Sequence, residues 1–170
     1  MQIHTLAGHG TGFVIGPRRI ATAAHVTTFS TPMFPGITVY FPTVTVEFQD
    51  GRKALARVAY LDKAHDVAIL VLSEPTLAPA LPFADSPPAY DEPLTLIGNV
   101  FNLGWVKERG RAKSIKTEDI MLTINSGPGY SGSPLLNKRG QVVGILSYMI
   151  QDGTTRYYTG AKSIDYLRYR

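Results

Sequence analysis

Short runs of β-branched and aromatic residues, separated by glycine and proline, follow one another along most of this chain. Residues 37–48 are rich in Val, Thr, Tyr and Phe, although Pro42 divides them, and Asp50-Gly51 behind them is a hairpin turn signal. Residues 66–72 form a nearly continuous apolar run, typical of a strand buried on both faces. The 16 glycines and 12 prolines among 170 residues also suit a turn-rich β protein better than a helical bundle. We therefore predict an all-β fold.

A change of composition divides the chain near its middle. Six of the twelve prolines lie between residues 75 and 93. Because proline has no backbone N–H to donate to a sheet, this segment is expected to be an extended connector. Strand signals resume at residue 94, and Ser163 is placed to cap a short C-terminal helix. The prediction is two β lobes, residues 1–84 and 85–170, joined by the connector around 75–93.

The chain contains no cysteine, which excludes a disulfide scaffold, a zinc-thiolate site and a cysteine nucleophile. A cysteine-free sequence fits a reducing compartment without requiring one, so we slightly favour the cytoplasm. The first residues lack the basic and apolar regions of a signal peptide. No apolar run reaches the roughly 18 residues of a membrane span, and no membrane partner is expected.

The net charge of +4 is modest, and the basic residues gather somewhat between residues 107 and 116. No aromatic residue lies among them, so we interpret the stretch as a solvated hairpin and expect no nucleic-acid partner. The histidines His4, His9 and His65 have no ligand spacing with one another. We accordingly expect neither a metal site nor a cofactor.

The densest local signal is the segment 127–134, which reads GPGYSGSP. Glycines on both sides of Ser131 let the backbone adopt unusual φ/ψ values, which can expose the hydroxyl and aim successive N–H groups at one point. Acyl transfer needs this arrangement of a nucleophile beside donors for the developing oxyanion. A tight hairpin of small residues would explain the segment equally well on its own.

Two other segments favour the catalytic interpretation. His25 directly follows a small-residue strand end in TAAHV (22–26), and Asp66 lies at the mouth of the buried strand DVAIL (66–70). An aspartate entering an apolar strand is costly unless it accepts hydrogen bonds. A histidine N–H is a suitable donor, and the pair would supply Ser131 with a base in the correct tautomer.

The three segments resemble those of the trypsin-like, chymotrypsin-fold serine peptidases, in that family's order of His, Asp and Ser. Within the family the sequence is most similar to HtrA-like and other bacterial or viral members, because residues 96–104 (LIGNVFNLG) resemble a stretch of the HtrA proteases. Residues 141–148 (QVVGILSY) resemble the strand that follows the nucleophile throughout the family. The resemblance runs from about residue 10 to residue 166. It implies two antiparallel six-stranded β-barrels, followed by a short C-terminal helix, that act on a protein or peptide substrate.

The resemblance also implies roles for individual residues. Ser131 would be the nucleophile, His25 the general base and Asp66 the orienting carboxylate, with the N–H groups of Gly129 and Ser131 forming the oxyanion hole. Ser147, Tyr148 and Met149 would line the substrate cleft and pair with the peptide main chain. The residues at or near the S1 pocket, which receives the side chain before the cleaved bond, would be Asn125, Ser126, Gly127 and Arg156.

Some features depart from the relatives. Tyr130 stands where digestive members have an aspartate, so their zymogen switch is not expected here. HtrA proteins add a PDZ domain, and none is expected in the 170 residues.

Neutral Asn125 and bulky Met149 favour small or medium apolar side chains in S1, whereas an inward-turned Arg156 would favour acidic ones. A viral or phage processing protease and a non-catalytic pseudoprotease on the same fold are the alternatives.

Overall fold

The computed structural model describes residues 1–6, 8–30, 36–100, 103–115, 119–124, 126–151 and 157–167. This part of the chain consists of antiparallel strands, two short 3-10 helices (Ala24–Thr27 and Ile164–Leu167) and connecting turns. The strands are β1 Gln2–Thr5, β2 Gly8–Thr11, β3 Phe13–Gly16, β4 Arg19–Thr22, β5 Thr28–Ser30, β6 Thr38–Tyr40, β7 Thr43–Glu47, β8 Lys53–Asp62, β9 Val67–Leu72, β10 Pro93–Val100, β11 Gly104–Ile115, β12 Asp119–Leu122, β13 Pro134–Leu136, β14 Val142–Gln151 and β15 Tyr157–Ser163.

The N-terminal strands form a seven-stranded sheet in the order β2-β1-β7-β8-β9-β4-β3. Its two edge strands, β2 and β3, are consecutive in the chain and are separated only by Gly12. The sheet is therefore curled round so that one bent segment, residues 8–16, pairs with β1 at one edge and with β4 at the other. Counted with that segment as a single strand, the sheet has the six strands expected of a trypsin-like lobe.

The C-terminal strands close into a six-stranded barrel in the order β10-β11-β12-β15-β14-β13. Alternate residues point inwards, as the two-residue period of a strand requires: Leu94 and Leu96 of β10, and Ile120 and Leu122 of β12, are almost completely buried. The predictions of an all-β double-barrel fold and of a short C-terminal helix are confirmed. The helix is of the 3-10 type, and the Asp165 N–H donates to Ser163 Oγ at 3.3 Å, which gives Ser163 the capping role expected of it.

A shared apolar cluster joins the two lobes. Phe13 and Ile69 of the first lobe pack with Ile145 of the second and with Ile164 and Leu167 of the C-terminal helix. Burying one such side chain completely contributes about 1.5–3 kcal/mol, so the cluster holds the two lobes in a fixed relation to each other. The cleft between the two lobes consequently has walls from both.

The proline-rich connector contains no regular strand among residues 73–92. It is nevertheless fixed to both lobes, because the Leu81 N–H donates to the Val14 carbonyl at 2.9 Å and the Ala84 N–H to the Val142 carbonyl at 2.9 Å. The connector thus lies along the lobe boundary as an extended segment. The division of the chain at residues 84 and 85 stays a prediction.

No helix in the described ranges is long and apolar enough to cross a membrane.

The bend at Gly12 yields a stability prediction. A Cβ atom there would lie 2.7 Å from Ile3 Cδ1, 3.0 Å from Ile20 Cγ2 and 3.1 Å from the Ala21 carbonyl oxygen. Gly12→Ala should therefore lower the free energy of unfolding by about 1–3 kcal/mol through overpacking, measured by urea denaturation. Gly16→Ala is the matched control, since its Cβ would meet nothing closer than 3.7 Å. Equal effects of the two substitutions would contradict the bend as the cause.

Candidate active site

His25 lies in the first 3-10 helix, directly after strand β4. Small or compact buried residues surround it in the sequence, and Thr27 Oγ1 donates to the Ala24 carbonyl at 2.8 Å, which closes the turn. The turn is packed on its inner side by Ala24 and Val26, so the intervening His25 side chain projects into the cleft, where 45% of it remains exposed. The helix thus presents a single imidazole to solvent.

Asp66 ends the turn that precedes strand β9 and has a left-handed backbone, with φ at 52°. Its carboxylate accepts the His25 backbone N–H at 2.8 Å and contacts His25 Nδ1 at 2.8 Å. Because an ionised carboxylate can only accept hydrogen bonds, Nδ1 carries the hydrogen and Nε2 of the neutral ring keeps its lone pair. The Asp66 carbonyl also accepts the Ala24 N–H at 3.1 Å, which fixes the helix on the same turn.

A third donor to Asp66 comes from the other lobe. The Ser147 hydroxyl, on strand β14, donates to the same carboxylate oxygen that contacts His25 Nδ1. The sequence analysis had placed Ser147 in the cleft without this bond. A signal was present, because a serine within the apolar run of residues 142–150 needs a partner when it is partly buried.

The serine-containing loop begins with a tight turn over residues 127–130, in which the Tyr130 N–H donates to the Gly127 carbonyl at 3.3 Å. Pro128 occupies the second position, and Gly129 occupies the third with φ at 97°. Proline followed by a residue of positive φ is the pattern of a type II turn. In a type II turn the central peptide unit, here between Pro128 and Gly129, is flipped by about 180° relative to its orientation in type I. This flip sets the direction of the Gly129 N–H.

The next residues pack closely against the first lobe. A Cβ atom on Gly132, whose φ is 83°, would lie 2.1 Å from the Thr11 carbonyl oxygen and 2.3 Å from Thr22 Oγ1. Only glycine fits this approach. On the other side, the Tyr130 ring is buried in the second barrel against Gly98, where an added Cβ would lie 2.5 Å from it. The loop is therefore held between both lobes.

The N–H groups of this loop divide into two sets. Those of Tyr130, Gly132 and Ser133 donate to the carbonyls of Gly127, Leu146 and Tyr130. Within the described ranges, the N–H groups of Gly129 and Ser131 donate to no protein acceptor. Two donors close in sequence to the Ser131 hydroxyl are thus available to a ligand.

Two pockets meet at Ser131. One, of about 230 Å³, is lined by Ser126, Gly127, Pro128, Ser131, Leu146, Ser147, Tyr148 and Met149. The other, of about 240 Å³, is lined by Thr5, Gly8, His9, His25, Val26, Thr28, Pro128, Gly129 and Ser131. The two pockets together are lined by all the described residues that the sequence predicts for the site, except Asp66. The carboxylate of Asp66 lies behind His25. Asn125 and Arg156, the remaining two, lie outside the described residues.

Thr159 is a neighbour of the first pocket that the sequence analysis did not select. Its buried hydroxyl donates to the Ile124 carbonyl at 2.5 Å and contacts Ser126 Oγ at 2.8 Å. The pocket therefore has a hydroxyl-bearing side next to the apolar Leu146 and Met149.

Tyr148 forms a rigid wall of this pocket. Its ring covers Gly160, where a Cβ would lie 2.3 Å from the ring atom Cε2. Burial and a hydrogen bond to the Asp119 carboxylate raise the pKa of Tyr148 to about 12, so the hydroxyl stays protonated and bonded. Asp119 is in turn paired with Lys162 at 2.9 Å.

The cleft also contains an unpaired strand edge. Strand β14 extends to Gln151, but β13 pairs only with its residues 142–145. On the β13 side, beyond the bond from the Leu146 N–H to the Ser133 carbonyl, residues 147–149 have no described strand partner. An extended peptide can add to such an edge through main-chain hydrogen bonds.

Solved structures of other proteins share this fold. A serine endoprotease from Yersinia pestis superposes with a TM-score of 0.81 at 22% identity, over 99% of this chain and 59% of that one. A protease from M. tuberculosis in its active form gives a TM-score of 0.80 at 24% identity, over 96% of this chain and 75% of that one.

Curated relatives are similar in sequence. A protein named putative serine protease HhoA from Synechocystis is 28% identical over 165 residues, which is 88% of this chain and 39% of the relative. A protein named probable periplasmic serine endoprotease DegP-like from Chlamydia trachomatis is 33% identical over 112 residues, 60% of this chain and 22% of the relative. The chain thus spans well under half the length of these relatives. The predicted similarity to HtrA-like members is confirmed.

The slight preference for a cytoplasmic location is wrong. Relatives from Haemophilus influenzae and three Chlamydia species are named periplasmic, which points to a periplasmic or extracellular location. Lack of cysteine could not discriminate between compartments, because lobes with buried cores of this size need no disulfide.

The sequence model of a protein family, the trypsin-like peptidase domain, matches residues 10–145 of this chain. This range includes His25, Asp66 and Ser131. This match covers well over half of the sequence and agrees with the double-barrel architecture and with the names of the relatives. The chain belongs to the family of trypsin-like peptidase domains.

Proposed function

We propose that this domain is a serine endopeptidase that cleaves protein substrates through an acyl-enzyme, with Ser131 as nucleophile, His25 as base and Asp66 as its orienting partner. The observation that carries the proposal is the carboxylate of Asp66, which accepts both the backbone N–H and Nδ1 of His25 at 2.8 Å. That pair leaves the Nε2 lone pair of His25 available to act as the base, and His25 lines the same pocket as Ser131.

In the proposed reaction, Ser131 Oγ attacks the carbonyl carbon of the peptide bond while its proton passes to His25 Nε2. Asp66 stabilises the imidazolium that forms. The oxygen of the tetrahedral intermediate accepts hydrogen bonds from the Gly129 and Ser131 N–H groups, which have no described protein acceptor. His25 then gives the proton to the leaving amine. Water repeats the sequence on the acyl-enzyme and regenerates Ser131.

The strand edge at residues 147–149 supports cleavage within a chain rather than at its end. A substrate that adds to this edge is bound by its main chain, so no free terminus is required. The pocket at Ser126, Leu146 and Met149 is the candidate for the side chain before the cleaved bond. The relatives named above as serine proteases or endoproteases are consistent with this proposal.

The nucleophile is tested by a serine-directed fluorophosphonate and by Ser131→Ala. We expect stoichiometric labelling of the wild-type domain, followed by mass spectrometry that assigns the label to Ser131. Ser131→Ala should melt close to the wild-type temperature and lose several orders of magnitude in turnover of a labelled unfolded protein. Failure of the intact domain to take the label would favour the pseudoprotease alternative. More than about a tenth of the activity in Ser131→Ala would place the nucleophile elsewhere.

The oxyanion donors are tested by Gly129→Ala. Because φ at Gly129 is 97°, an alanine should drive the turn towards negative φ and rotate the N–H away. Loss of one such donor costs about 10²–10³ in kcat, to be measured by steady-state kinetics. Gly140→Ala is the matched control: it also has a positive φ, of 73°, in a turn with open space around the Cβ position. A similar loss of kcat in both variants would contradict the assignment.

Specificity is tested with a peptide library profiled at P1, the residue before the cleaved bond. The described lining of the pocket has apolar Leu146 and Met149, the hydroxyl of Ser126 and no carboxylate. We expect cleavage after Ala, Val or Leu, because nothing there neutralises a P1 cation. Dominant cleavage after Lys or Arg would contradict this. A Glu preference that disappears in Arg156→Ala would select the alternative in which Arg156 turns inwards.

A further inference from the structure

Thr11, the last residue of strand β2, is completely buried where the first lobe meets the serine-containing loop. Gly10 and Gly12 flank it, and a Cβ on Gly10 would lie 2.9 Å from the Ser131 carbonyl oxygen. The strand therefore approaches the loop as closely as backbone atoms allow. Glycines on both sides of a strand residue are a sequence sign of such an approach.

All the polar groups of Thr11 are used. Its hydroxyl donates to the Gly129 carbonyl at 2.8 Å and accepts the Asn99 N–H at 2.9 Å. Its backbone N–H donates to the Ser131 carbonyl at 2.8 Å. Its own carbonyl accepts Thr22 Oγ1 at 2.8 Å, which fixes Thr11 to strand β4.

These bonds reach the two residues whose N–H groups are available to a ligand. Gly129 is held through its carbonyl by the Thr11 side chain, and Ser131 through its carbonyl by the Thr11 main chain. The main-chain bond would survive almost any substitution, whereas the bond to Gly129 depends on a hydroxyl at this position. Gly129 depends on its bond to the Thr11 hydroxyl more than Ser131 depends on its bond to the Thr11 main chain, because an unrestrained glycine has wider conformational freedom than a serine.

We infer that Thr11 is a positioning residue for oxyanion stabilisation: its hydroxyl fixes Gly129 so that the Gly129 and Ser131 N–H groups converge on one point. The inference rests on the proposed function. Thr11 touches neither the substrate nor the reacting atoms. Its effect comes through the geometry of the donors, and a misplacement of about 1 Å in such groups can cost 10²-fold in rate.

The test compares Thr11→Val, which removes the hydroxyl at nearly constant volume, with Thr11→Ser, which keeps it. Ser163→Ala is the control, because it also removes a buried side-chain hydroxyl, one that bonds to Asp165 in the C-terminal helix and contacts neither Thr11 nor the loop in the described structure. Each variant is assayed for kcat and KM on a peptide with an apolar P1 residue. Each is also assayed for inhibition by the matching peptide aldehyde, whose adduct with Ser131 places an oxyanion between the donors.

We expect Thr11→Val to lower kcat by about 10- to 100-fold, with KM within about threefold, and to weaken aldehyde binding by a similar factor. The pH profile of kcat/KM should keep its shape, because the base is untouched. Thr11→Ser and Ser163→Ala should stay within about threefold of wild type in both assays. Thr11→Cys covers the case in which valine unfolds the domain, and its weak thiol donor should give an intermediate loss.

Three results would overturn the inference. They are wild-type kinetics in Thr11→Val or Thr11→Cys, an equal loss in Ser163→Ala, and a loss of kcat without a matching loss of aldehyde affinity. A wild-type domain that takes neither fluorophosphonate nor aldehyde would instead contradict the proposed function itself.

Discussion

The carboxylate of Asp66 receives hydrogen bonds from both lobes: from the His25 main chain, from the His25 ring and from the Ser147 hydroxyl. Its left-handed backbone costs roughly 1–2 kcal/mol for a residue with a Cβ atom, although aspartate tolerates it better than most. Hydrogen bonds to a charged group contribute about 1.5–3 kcal/mol each, so three of them outweigh that cost. The position of His25 depends on this carboxylate, which also joins strand β14 of the second lobe to the first lobe at Ser147.

A second constraint is close backbone approach. Gly10 and Gly132 let the bent strand of the first lobe and the serine-containing loop approach each other more closely than residues with a Cβ atom would allow. At this contact Thr11 holds the Gly129 and Ser131 carbonyls, while Tyr130 is fixed in the second barrel. The candidate catalytic groups therefore come from separate lobes, and their spacing is set by main-chain contacts between those lobes.

Much of this could be predicted from the sequence, because the strong signals are local. The apolar run 67–72, the hairpin at Asp50-Gly51 and the division at Pro42 all correspond to observed elements. The sequence does not predict the hairpin of β1 and β2, because both strands are short and polar and β2 is rich in glycine. Ile3 is the side chain of this hairpin that packs in the apolar core of the lobe, whereas Thr11 is buried at the lobe boundary. The bond from Ser147 to Asp66 joins residues 81 positions apart, and the positive φ of Asp66 results from tertiary contacts. The sequence around Ser147 indicates only that its hydroxyl needs a partner and does not indicate which one, and nothing local in the sequence indicates the φ of Asp66.

The burial of Tyr130 determines how the serine-containing loop unfolds relative to the second barrel. The loop on either side of it is anchored by an aromatic ring buried in the core of the second barrel, with only a long 3.4 Å contact to Glu108 at its hydroxyl. Apolar burial is little affected by salt, whereas an ion pair at this place would be screened. Segments fixed in a core open only together with that core. The loop and the barrel should therefore behave as one cooperative unit, in which the bonded loop amides of Tyr130, Gly132 and Ser133 are as protected from hydrogen exchange as those of strands β10 and β13.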